Sequence, residues 1–286
     1  MVSAVAQTPE IPDTVKHFIF AGFTSLTFNQ VSLSNWVAGG ENALSGTGIL
    51  SLTAKYKKDK VAWDNSLDLG FGILKNGSQK IHKNDDRIEL NSKLGYKAFD
   101  SVFYTVLFNY RTQFANGYKY PNDSVIVSRF NAPGYVSLSL GLDYKPSSFF
   151  SVYISPIGGR LTIVADQALA DSGAYGVDPA QKNASGTIIK HGKRSRMEFG
   201  ATLNAIFQKD VIKNVNVLTK LTLFNDYLDK HADNRKNIDV NWDVMINIKA
   251  GKFLTTSLIT NLIYDQNIIA KTQFREGLGI GISYKF

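Results

Sequence analysis

The four histidines, His17, His82, His191 and His231, are the residues that would serve a hydrolase, because an imidazole is the usual base for a serine nucleophile. None sits at an outward strand position beside a serine, the arrangement a membrane barrel would need to attack lipid at its own surface. A lipid hydrolase is therefore the remote alternative. The lack of cysteine removes disulfides, thiolate metal sites and a thiol nucleophile together. No His-Glu-x-x-His run or other zinc spacing occurs. Asn84-Asp85-Asp86 and Asn122-Asp123-Ser124 offer calcium-type oxygens but read more simply as loop turns. Gly277-Leu278-Gly279-Ile280-Gly281 resembles a phosphate-cradling loop, yet no helix follows it. No catalytic residue, cofactor or metal is expected, and the chemistry left to explain is charge.

Thirty-two Lys and Arg against 24 Asp and Glu give a net charge of +8. No basic run is longer than a few residues, so nucleic acid is not an expected partner. The charges instead occur singly, in alternation with apolar residues. That pattern belongs to strands. From Tyr135 to Lys145, Val136, Leu138, Leu140, Leu142 and Tyr144 face one way while Ser137, Ser139, Gly141, Asp143 and Lys145 face the other. The same sorting sets Leu50, Leu52, Ala54 and Tyr56 against Ser51, Thr53, Lys55 and Lys57, and it sets Val240, Trp242, Val244 and Ile246 against Asp239, Asn241, Asp243 and Asn247. Twelve such strands are predicted, starting near residues 18, 47, 61, 87, 101, 135, 149, 195, 214, 237, 253 and 273.

Short turns near residues 57–60, 99–101, 146–148, 209–213 and 250–252 alternate with longer polar loops at 32–46, 76–86, 116–134, 164–194 and 229–236 and a brief one near 267–271. This predicts an all-β fold: a transmembrane antiparallel up-and-down barrel with periplasmic turns, extracellular loops and both termini periplasmic. A soluble sandwich would also alternate, but aromatic residues mark both ends of the apolar rows, as interfacial girdles do. Composition agrees with a two-faced wall. The 286 residues are 44% hydrophobic, 12% aromatic and 20% charged, and the mean hydropathy of −0.12 is an average of a greasy face and a polar one. The longest uncharged stretch, residues 17–40, is too rich in Ser, Thr and Asn for a membrane helix.

The polar face is then a lumen. Arg87, Lys93, Lys97 and Arg111 form a predicted basic arc and Asp226, Asp239, Asp243 and Asp265 an acidic one; if opposed, they would set a field across the lumen. The competing expectation is interleaved ion pairs that fill a closed barrel. Lys190, Lys193, Arg194 and Arg196 gather where lipopolysaccharide phosphates would lie. Asp166 to Ala170 is expected to give one helical turn or two, folded into the mouth.

At the other end of the chain, Leu278, Ile280, Ile282, Tyr284 and Phe286 alternate with glycines and polar residues and end on an aromatic. This resembles the assembly signal of bacterial outer-membrane barrels, with Tyr284 and Phe286 as its aromatics. Together with Asn35-Trp36-Val37-Ala38-Gly39-Gly40-Glu41-Asn42, the chain resembles an uncharacterised family of Bacteroidota outer-membrane barrels. The resemblance implies a fold and a Gram-negative outer-membrane location, with outer-membrane lipids, lipopolysaccharide and the barrel-assembly machinery as partners, and no catalytic residues. Ala4-Val5-Ala6 before Gln7 has the form of a signal-peptide cleavage site, which divides the chain into a residual signal end (1–6), a periplasmic segment (7–17) and the barrel (18–286).

Twelve strands fall between the eight whose interior side chains fill and the sixteen that leave an aqueous channel. A narrow or loop-gated channel for small polar or charged solutes is the leading expectation. The alternative is a structural or accessory subunit of a multi-protein outer-membrane assembly, docking through the barrel wall, the Trp36 loop or the periplasmic turns.

Overall fold

The computed structural model describes residues 17–34, 41–120, 122–230, 232–251 and 254–286. The signal-like Ala4–Ala6 segment, Trp36 and His231 lie outside them. Twelve antiparallel strands form one closed barrel. In chain order they are β1 (Phe18–Val31), β2 (Ala43–Lys58), β3 (Val61–Asn76), β4 (His82–Phe99), β5 (Val102–Thr112), β6 (Gly134–Ser147), β7 (Phe150–Ile163), β8 (Ser195–Ile212), β9 (Val215–Asp226), β10 (Asp239–Ala250), β11 (Leu254–Asp265) and β12 (Ile269–Lys285). Each pairs with the next, and β12 returns to β1 with Lys285 opposite Phe23 and Ile280 opposite Phe28.

Three strands start earlier than the alternation predicts, at Ala43, His82 and Ile269. All three starts lie on the long-loop rim. There the ladder runs on past the apolar band, so polar segments such as His82-Lys83-Asn84-Asp85-Asp86 pair without any hydrophobic period to reveal them. His82 is thus a strand residue and not a loop residue. At the opposite rim the turns are tight. Asp59 and Asn214 take left-handed backbone, φ 51 and 65, which these side chains tolerate better than most. His17 and Phe286 sit on this same rim, through Lys57 N–H donating to His17 O at 2.9 Å and Phe286 exchanging backbone bonds with Gly22 at 2.7 and 3.0 Å. The Phe286 ring covers the bare outward face of Gly22, where an added Cβ would lie 2.2 Å from the ring, and it stacks on Tyr284.

The outer wall is apolar and exposed, with Leu138, Leu140 and Leu142 in the middle of β6 as an example. Trp63, Tyr96, Tyr104 and Tyr284 lie toward the short-turn rim and Phe71, Phe114, Tyr227 and Phe274 toward the loops, all exposed. Polar atoms on this wall find partners within it. Trp63 Nε1–H donates to Ser92 Oγ and Trp242 Nε1–H to Thr219 Oγ1, both at 2.9 Å. Such pairing is what a bilayer demands, since hydrocarbon offers no hydrogen bonds. Among the described residues no helix is long and apolar enough to cross a membrane. Leu140→Arg, at the centre of its strand, is expected to cost ~2–4 kcal/mol of stability in reversible unfolding from lipid vesicles. A cost near zero would place this wall outside the hydrocarbon.

Several contacts reach across the lumen. Phe23 on β1 packs on Leu218 of β9 and Met245 of β10, with Ile206 and Ile259 around them. Glu89 on β4 meets Lys220 on β9, five strands away around the ring, at 3.2 Å. A round barrel of twelve strands, at ~4.8 Å spacing and ~40° tilt, would be about 24 Å across between backbones. One Lys and one Glu reach little more than half of that, so the cross-section is flattened.

Candidate functional site: the lumen and its loop lid

Lumenal side chains come from every second residue of each strand, and the register stacks them in three layers. Nearest the short turns, Lys93 Nζ lies 2.6 Å from Asp143 Oδ2, and Lys145 Nζ lies 3.2 Å from the same oxygen and 3.0 Å from Asp64 Oδ2. Lys93 also lies over the Tyr153 ring and Lys145 over the Phe103 ring. In the middle layer Glu89 accepts from Asn109 Nδ2 at 3.1 Å as well as from Lys220, and Asp68 accepts from Ser51 Oγ at 2.6 Å. Asn261 Nδ2 donates to Asp243 at 2.6 Å and to Asn241 at 2.9 Å.

The layer under the loops is built around Arg160. Its Nε and Nη2 donate to the two oxygens of Glu198 at 2.8 and 2.6 Å, a bidentate fork, while Nη2 also reaches Asp239 at 2.5 Å and lies 3.7 Å from Asp265. Below it the Phe224 ring centroid is 4.4 Å away. Arg196 adds a second cation on Glu198 at 3.0 Å.

Arg160 is the central residue that the sequence reading misses, and the cause is local. β7 carries one extra residue at Pro156–Ile157: Ser155 pairs with Thr202 and Gly158 with Gly200, three residues against two. This bulge reverses the facing of everything after it, so Tyr153 and Ser155 point inward as odd residues and Arg160 as an even one. The proline inside the run was the available signal, since a proline within a strand marks a bulge or an edge.

The predicted arcs do not stand apart as arcs. Lys93 is held by Asp143, Asp239 and Asp265 converge on Arg160, and Asp243 is bonded by Asn261. Arg87 is buried and Arg111 lines the lumen beside Glu89. Lys97 is exposed near the short-turn rim. Asp226 accepts from the backbone of Phe199 and Leu228, so it caps the upper turn. Members of both arcs thus sit in contact with polar or oppositely charged neighbours inside the lumen. The basic cluster of the long loop separates likewise. Arg196 turns into the mouth and binds Glu198, Lys193 lies 2.9 Å from Asp178, and Lys190 and Arg194 are exposed. Arg196 is thus half-buried beside Glu198 and apart from Lys190, Lys193 and Arg194.

Between these layers lies a cavity of about 1140 Å³. Its lining runs from Ser147, Ser148 and Lys209 at the short turns to Tyr175 and Ile268 at the loop rim. The loop between β7 and β8 is tied over the mouth. Asp166 caps the helix α1 (Gln167–Asp171) by accepting from Leu169 N–H, as the expected helical turn requires. Leu169, Ala170, Val164, Val177 and Ala132 form a small buried core, and Tyr175 O–H donates to Val127 O at 2.6 Å, joining this loop to the one before β6. Burial pushes the Tyr175 phenol up to about 12.

Polar ties fasten this lid: the ion pair of Arg129 with Asp166 at 2.9 Å, the hydrogen bond of His191 with Asp171 at 2.9 Å, and the ion pairs of Asp178 with Lys193 and Lys230. The hydrogen bond from His191, with those from Gln167 and Gly192, holds the Asp171 carboxyl below its ordinary range. Bonds from Lys230 and Lys193 do the same for Asp178. A carboxyl lowered in the folded loop contributes stability above its unfolded pKa, near 4, and loses that contribution as pH falls through the folded value. Limited proteolysis of residues 166–193 is thus expected to be slow at neutral pH and to accelerate below about pH 4. Equal cleavage rates at both pH values would show that these ties do not hold the lid.

A family model described as "Protein of unknown function (DUF3078)" matches residues 28–118. No curated protein matches the sequence. Among solved structures, an outer membrane channel from Pseudomonas putida F1 is similar at 12% identity, covering 97% of this chain and 99% of that one, with a TM-score of 0.40. The translocator domain of autotransporter NalP from Neisseria meningitidis is similar at 11% identity, covering 96% and 90%, with a TM-score of 0.38. The NanC porin matches at 10% identity over 93% and 100%, with a TM-score of 0.39.

Proposed function

We propose that this protein is a non-enzymatic barrel of a Gram-negative outer membrane that works as a narrow, loop-gated channel for small polar or charged solutes. The observation that carries this reading is the lumenal cavity, whose lining of charged, polar and apolar side chains reaches from the short turns to the underside of the lid. A closed filler barrel needs no such continuous space. The exposed apolar wall with aromatic bands supports the membrane location, and it makes outer-membrane lipids and lipopolysaccharide the natural surroundings of the wall and the barrel-assembly machinery its partner during insertion.

Osmotic swelling tests the reading. Liposomes carrying the protein are expected to admit a small sugar faster than empty liposomes, and faster still when pH 3 loosens the lid. Permeability equal to that of empty liposomes in both conditions would overturn it. The bridging Glu89–Lys220 pair favours a second reading, a closed structural or accessory subunit of an envelope assembly. That reading expects no permeation and a stoichiometric partner after mild-detergent purification.

A further inference from the structure

The lumen is not electrically uniform along its axis. In the layer nearest the short turns the register sets Lys55 opposite Asp64 across β2 and β3, and Asp64 opposite Lys93 across β3 and β4. Lys145 enters the same cluster from β6, three strands from Asp64, and bonds it at 3.0 Å. Asp143 completes the set as the shared partner of Lys93 and Lys145. Three ammonium groups therefore meet two carboxylates.

The two carboxylates are not equally placed. Asp143 has no exposed surface and does not border the cavity, whereas Lys55, Lys93, Lys145 and Asp64 do. A solute in the cavity thus faces three ammoniums and one carboxylate, with the second carboxylate covered by Lys93 and Lys145. The surroundings continue the bias. Lys209 lines the cavity at the rim, over the Phe149 ring. Lys57, Lys58, Lys60, Lys97 and Lys213 are exposed on that rim, against Asp59, Asp100 and Asp210. In the middle and upper layers Lys220 sits on Glu89, and Arg160 on Glu198 and Asp239.

From this placement we infer that the short-turn half of the lumen is an anion-binding step, built by Lys55, Lys93 and Lys145 to take a small solute bearing a phosphate or carboxylate group. The inference deepens the channel reading and names its solute class. A cleft of one sign between low-dielectric walls concentrates counter-ions, and rings of lysine are the usual lining where a pore passes anions. An oxyanion seated there meets three ammonium groups that share two carboxylates, while a cation meets three like charges beside the one carboxylate that borders the cavity. The size of the cavity limits the ligand to a small molecule.

Equilibrium binding tests the inference without requiring conduction. Pyrophosphate titrated into the detergent-solubilised barrel at low salt is expected to bind saturably, one per barrel, and to weaken as salt rises. Lys55→Gln is expected to weaken it several-fold in a barrel that still shows a heat-shift on gels. The paired variant Lys93→Gln with Asp143→Asn, which removes a cation without orphaning its buried partner, is expected to do the same. In planar bilayers the reversal potential under a KCl gradient is expected to favour chloride and to lose that preference in both variants. Absence of saturable binding, or binding unchanged in both folded variants, would overturn the anion step. Binding that persists in a barrel without current would leave the step standing and overturn the channel; current without binding or anion preference would do the reverse.

Discussion

Arg160→Ala is expected to lower the stability of the barrel by about 3–5 kcal/mol, the usual consequence of removing one partner from a buried ionic group. The wild-type guanidinium holds Glu198 with a two-bond fork, reaches Asp239, lies near Asp265 and rests on the Phe224 ring. Glu198 is almost completely buried, with a side-chain exposure of 1%, and Asp265 is at 9%. Without Arg160, three carboxylates converge with only Arg196 against them. Arg160→Lys keeps the charge but loses the planar fork, so an intermediate loss is expected. Adding Glu198→Gln and Asp239→Asn to Arg160→Ala is expected to recover most of the stability, because the repulsion goes with the charges. Urea unfolding in vesicles measures the series. A cost of Arg160→Ala below ~1 kcal/mol would mean that lumenal water screens the cluster as it screens surface pairs.

The second large effect concerns the lid. Val164 N–H donates to Arg194 O at 2.8 Å, so the two ends of the loop lie side by side and a short Gly/Ser linker can replace residues 166–193 without stretching the ladder. This deletion removes α1, the small core of Leu169, Ala170 and Val177, the Tyr175 contact and the ties at Asp171 and Asp178. The fraction of time spent open is expected to rise sharply, since each ~1.4 kcal/mol of lost docking free energy shifts an open-to-closed ratio about tenfold. The barrel itself is expected to keep its heat-shift, because the deletion removes only the small loop hairpin of Gln181–Lys182 and Ile188–Lys190 and touches no barrel strand pair. An open fraction unchanged by the deletion would assign closure to the Glu89–Lys220 bridge and the Phe23 cluster in place of the lid.

The barrel was legible because two-faced strands write their period into the residues. Ser139, Leu140, Leu142 and Asp143 declare inside and outside without reference to any partner, and twelve such rows with alternating turn lengths leave little freedom of topology. Legibility ended where the period did. The polar start of β4 at His82 carries no apolar beat, and the bulge at Pro156 reverses the facing of Arg160, the best-connected cation in the lumen. Pairing was also out of reach. Alternation says that Lys93 and Asp143 face inward but not that they touch, since that depends on register and on a flattened section that brings β4 to β9. The long-loop cluster divided for a related reason: alternation along β8 aims Arg196 at Glu198, while Lys193 follows the path of the loop to Asp178.

Single-channel recording in planar bilayers, comparing the intact protein with the loop-trimmed form, tests the central claim that the lumen is a conducting path closed by the lid. Brief unitary steps from the intact protein, and long-lived steps of similar or larger size from the trimmed one, are the predicted result. Silence from both across repeated insertions, in vesicles shown by heat-shift to carry folded barrel, would contradict it.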